Sequence, residues 1–111
     1  MNKVVKIGGK DRPLNFGRSF WREVEKITGK MTAELLDIRE LMSVNNQTAI
    51  AYASLKWGMY ANDGLEPVPS FTLTKIDDWL DERPEAMKEI YDAMTESLPQ
   101  PKKASAAEVP Q

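Results

Sequence analysis

The sequence predicts an α+β fold, predominantly α-helical, in which a short N-terminal β-hairpin precedes a bundle of four to five helices. Three observations carry that expectation. Two short apolar runs flank Gly8-Gly9, apolar residues recur at helical spacing through most of the remaining chain, and turn or cap residues separate those runs. A chain of 111 residues suffices for one modest core, burying roughly 60 to 70% of the surface its unfolded form exposes. Residues 1–98 are expected to form that single domain. Residues 99–111, with three prolines and one β-branched residue, read as a disordered tail.

The hairpin is expected at about 3–16. Val4, Val5 and Ile7 are β-branched, Leu14 and Phe16 stand two apart, and "GGKD" between the runs tolerates positive φ. Pro13 has no N–H for a ladder, which leaves the second strand at an edge or only briefly paired. A helix over about 18–28 follows, with Phe20, Val24 and Ile27 on one stripe, Trp21 and Met31 flanking it, and Gly29 as its C-terminal cap. Thr32 is read as the N-cap of a helix over 33–42 that carries Leu35, Leu36, Ile38, Leu41 and Met42. The longest helix, over 46–63, is capped by Asn45 or Asn46 and ends at Gly64. Its apolar character on most faces predicts the buried centre of the bundle, with Ala49, Ala53 and Gly58 admitting close neighbours. Thr74 starts a helix over 75–83, with Asp77 in a capping-box position. Pro84 opens the last helix, over 84–98, whose Met87, Ile90, Tyr91, Met94 and Leu98 form one stripe.

Chemistry is sparse. The chain has no cysteine and no histidine, which removes disulfides, thiolate metal sites, the usual general base near neutral pH and the commonest transition-metal ligand. "IGGKDRPLNFG" has the spacing of neither a P-loop nor a dinucleotide fingerprint, so Gly8-Gly9 is read as a hairpin corner. Asp77, Asp78, Asp81 and Glu82 lack the loop spacing and glycine of a calcium-binding loop, and their expected role is solvated acids near a helix start. Asp37 and Glu40 are read in the same way. No catalytic, cofactor or metal site is therefore expected, and the chain is not expected to be an enzyme. No apolar stretch has the length of a membrane span, and "MNKVVKIGG" lacks the apolar core of a secretory signal, so the cytosol is the expected compartment.

Charge and aromatic placement point to protein contacts. Residues 1–30 hold eight Lys or Arg against three acids, whereas residues 31–98 hold five against thirteen. Lys3, Lys6 and Arg12 of one copy would then meet Asp78 and Asp81 of the next, giving a homo-oligomer, or the two regions pack together within one chain or are simply solvated. An isoelectric point near 5.2 argues against nucleic acid. The aromatic residues on helices either fill the core or, where a ring reaches the surface, anchor a protein partner. Trp57, Tyr60, Trp79, Tyr91 and Met94 are the candidate anchors.

The order "VKIGGKDRPLNFG", a charged helix ending "ITG", "AIAYASLKWGMY" and "IDDWLDERPEAMKEIYDAM" resembles the tail assembly chaperones of long-tailed, siphovirus-like bacteriophages, over about residues 3–98. The resemblance implies a non-enzymatic protein of the host cytoplasm, absent from the mature virion and without metal or cofactor. Such a protein coats the tape measure protein, keeps it soluble and helps recruit tail tube protein. In many of these phages a programmed frameshift near the end of the gene adds a domain that recruits the tube subunit. Lys102-Lys103 stands where such a slip would fall, or the segment is a solubilising tail. A small protein-binding regulatory module, of antitoxin or anti-repressor type, is the alternative expectation.

Overall fold

The structure, a computed structural model, describes residues 3–98. The expectations for a disordered tail and for a frameshift at Lys102 and Lys103 lie outside the described residues. Strands β1 (Lys3–Ile7) and β2 (Lys10–Leu14) pair antiparallel, with Ile7 opposite Lys10 and Lys3 opposite Leu14. Gly8 and Gly9 form the two-residue turn at φ 64° and 83°. Two successive left-handed residues are what a type I′ hairpin turn requires, because that twist matches the twist of the strands. The hairpin buries Val5, Ile7 and Leu14 on one face. Pro13 lies opposite Val4 in a two-stranded sheet, where both strands are edges.

Six helices follow: α1 (Arg18–Thr28), α2 (Thr32–Leu35), α3 (Ile38–Leu41), α4 (Val44–Asp63), α5 (Leu73–Glu82) and α6 (Glu85–Ser97). Gly29 and Gly64 close α1 and α4 as the sequence indicates. The helix expected over 33–42 is instead two single turns. Thr32 lies inside the first of them and does not cap it, because the Glu25 carboxylate takes both the Thr32 N–H (2.7 Å) and its hydroxyl (2.6 Å). Asp37 breaks the run: its carboxylate accepts from the Arg39 N–H at 2.8 Å and restarts the chain as an N-cap.

Two other starts move. Ser43, not Asn45 or Asn46, caps α4, and Asn46 is buried. Thr72, not Thr74, caps α5 through the Lys75 N–H at 3.2 Å, so Asp77 lies beyond the first turn and is no capping-box partner. Pro84 stands immediately before α6. Met31, expected beside the α1 stripe, faces solvent.

Helix α4 is the centre, its side chains packed by α1, β2, α5 and α6. A Cβ at Gly58 would stand 2.0 Å from the Pro13 carbonyl oxygen, so the glycine is what lets β2 cross the helix. Asn15 fixes the crossing by donating its N–H to Ser54 O and its side-chain Nδ2 to Trp57 O, both at 3.2 Å. The hairpin is tied to the rest of the same chain. Lys3 pairs with Glu96, and Arg83 donates to Lys6 O at 3.0 Å. The Arg12 guanidinium lies 4.4 Å from the Trp79 ring centroid and donates to Ile7 O at 3.0 Å.

Candidate functional site

Large apolar side chains stand in water in the loop between α4 and α5, where Leu65 and Val68 lie, and in a larger group on the α2–α3 strap and the first turn of α4. Leu35 turns inward and is fully buried, but two single-turn helices have too little inner face for the rest. Ile38 and Met42 are each 71% exposed, Val44 is 74% exposed and Met31 67%. Leu36 is exposed as well. The strap is held from beneath by polar bonds to its backbone. Tyr91 donates its hydroxyl to Leu41 O at 2.7 Å, and Gln47 donates to the same oxygen at 3.3 Å. Asn46 donates its Nδ2 to Glu40 O (3.0 Å) and to Glu40 Oε1 (2.8 Å). Anchoring by carbonyls leaves the strap's own hydrophobes free to point outward.

Between the strap and α6 runs a groove of about 420 Å³. Ile38, Leu41 and Met42 form one wall, while Met87, Tyr91 and Met94 form the floor and the other. Burial pushes the Tyr91 phenol up to about 12 from its ordinary value near 10. Lys88 and Asp92, paired at 2.9 Å, stand on α6 beside it. A second hollow of about 440 Å³, between the start of α4 and α5, has Gln47 and Met87 in common with the lining of the groove, so the two adjoin. Its far wall is acidic, with Asp77 and Asp81.

The candidate residues are scattered. Met94 (1% exposed) and Trp57 (7%) are core side chains, with Met94 reaching the groove floor and the Trp57 indole N–H directed at Glu23 Oε1 at 3.3 Å. Tyr91 is half-buried in the groove. Tyr60 is exposed on the far half of α4, edge-on to Trp57, and Trp79 lies half-buried beneath Arg12. Structure thus brings together Tyr91 and Met94 but not the other three. Of the charged candidates, Lys3 and Arg12 have intramolecular partners, Lys6 is exposed, Asp78 faces Lys75 at 3.9 Å, and Asp81 makes no ion pair with a described residue.

Ile38, Met42 and Val44 were not singled out by sequence reasoning. A signal was present: at about 100° per residue, Leu35, Leu36, Ile38, Leu41 and Met42 spread over about 220° of a helix, far wider than one buried stripe. Among the described residues no three acids converge as metal ligands, and no helix is long and apolar enough to cross a membrane. Comparison with family models, curated proteins and solved structures gives no match to this chain.

Proposed function

We propose that this chain is a tail assembly chaperone, a non-enzymatic protein that binds the tape measure protein in the host cytoplasm, keeps it soluble and helps bring tail tube subunits to it. The observation that carries the reading is the cluster of exposed apolar side chains, Ile38, Met42 and Val44, beside an open apolar groove. A tape measure is a long helix with exposed apolar stripes, and an apolar groove between helices covers such a stripe by helix-in-groove packing. Large hydrophobes left in water at the rim of a groove are the usual mark of a protein-binding face. Copies aligned along one tape measure would add weak contacts of Lys6 with the acidic surface of the next copy. The longer product that recruits tail tube protein would arise at Lys102-Lys103, and neither form would remain in the virion.

Co-expression tests the reading. A tape measure fragment encoded beside this gene is expected to move from the insoluble to the soluble fraction and to co-purify with the chain. A fragment equally soluble without the chain, and not retained by it, overturns the reading.

A further inference from the structure

We propose that the groove between α3 and α6 and the acidic hollow beyond it are one polar-ended docking site. Its occupant is an amphipathic helix of a partner protein, with lysine or arginine at the end that lies over α5. This deepens the chaperone reading and rests on it for the partner's identity, not for the partner's chemistry. Three observations select the occupant. The two hollows adjoin, with Gln47 and Met87 lining both, so one elongated ligand lying across those two side chains would reach both. The α3 end is apolar, with Ile38 and Met42 standing proud of it, and calls for the i, i+3, i+4, i+7 side chains of a helix.

The α5 end carries opposite information. Asp81 makes no ion pair with a described residue, and Asp77 is exposed, its carboxylate accepting from the Thr48 hydroxyl at 2.5 Å and facing no described cation within ion-pair distance. Two uncompensated carboxylates on one wall repel an acidic ligand and attract a basic one, fixing which way round the helix lies. A second copy of this chain is a poor occupant. Its one basic amphipathic helix, α1, has Phe20 and Val24 fully buried in its own core and has no free stripe to offer.

The test uses the full chain and two synthetic helical peptides with the same leucine stripe, one ending in two lysines and the other in two glutamates. Fluorescence anisotropy is expected to give at least about tenfold tighter binding of the lysine peptide at low salt, with the difference shrinking as salt is raised. Asp81→Lys is expected to abolish or invert that preference, while Ile38→Asp weakens both peptides about tenfold or more. Circular dichroism establishes that each variant is folded. Equal binding of the two peptides overturns the polarity, and binding of neither, or binding indifferent to Ile38→Asp, overturns the site. A dimer of the free chain that Ile38→Asp dissolves also overturns it, since the occupant is then a second copy. Peptide binding as expected with no retention of the tape measure fragment leaves the site standing and removes the chaperone reading, whereas the reverse removes the site alone.

Discussion

Gly58 decides how close β2 comes to α4. In an isolated helix alanine is better than glycine by about 1 kcal/mol, and an exposed Gly58 would be a weak point worth replacing. Here the Cβ of an alanine would lie 2.0 Å from the Pro13 oxygen and 2.6 Å from its carbon, both backbone atoms that cannot swing aside. The strand would have to lift off the helix, stretching the two Asn15 bonds. Gly58→Ala is therefore expected to destabilise the fold by about 1–3 kcal/mol despite its better propensity, read from urea unfolding. The same residue scale explains Asp37: one carboxylate two residues from an N–H it can accept from outcompetes the next helical bond and cuts a helix in two.

At the scale of the element, the α2–α3 strap is fastened by side chains of α4 and α6 more than by its own hydrophobes. Tyr91 is the fastener with a pH signature. Its folded phenol ionises only at about 12 because burial disfavours the phenolate, while the unfolded phenol ionises near 10. A raised folded value means the contribution is fully present below about pH 10 and is lost as pH rises through about 12. Tyr91→Phe is expected to cost about 1 kcal/mol at neutral pH from the lost bond to Leu41 O. It is also expected to flatten the fall in stability over that alkaline window, compared with the wild-type chain in urea melts. The two proteins differ in that one hydroxyl, so the difference between the two curves belongs to Tyr91. At the acid end, the Thr32 hydroxyl and then its N–H hold Glu25 below the usual carboxylate range. That stabilisation of α2 is lost as pH falls through the folded value.

Across the whole molecule, the basic N-terminal third and the acidic remainder meet within one chain. Lys3 pairs with Glu96 and Lys30 with Glu40 at 3.7 Å, each joining a base of residues 1–30 to an acid of the remainder. These contacts use part of the charge asymmetry that the sequence leaves open to contacts between copies. Around α3 the fold leaves a group of apolar side chains in water. Ile38→Asp and Met42→Asp are expected to shift stability by no more than about 0.5 kcal/mol, because both side chains stand largely in solvent and contribute little to the core. The same variants are expected to reduce binding of a hydrophobic dye by the free protein, measured by its fluorescence. A large loss of stability instead would place these side chains in the core.

The amino-acid sequence by itself determined the hairpin, the central position of α4 and the stripe of α6. Each follows from short-range pattern: paired glycines, a long run apolar on most faces, and apolar residues at i, i+3, i+4 and i+7. Helix starts were legible only to within two or three residues, because Thr, Ser and Asn all offer capping oxygens and the choice among Ser43, Asn45 and Asn46 depends on which one the core claims. The candidate site was legible only in part. Tyr91 and Met94 carry a helical signal. For Ile38 and Met42 the sequence shows only an apolar spread too wide for one stripe; which side chains turn outward follows from bonds that α4 and α6, distant in sequence, make to the strap's carbonyls. Sequence spacing says which residues share a face; only tertiary packing decides which face has run out of core to cover it.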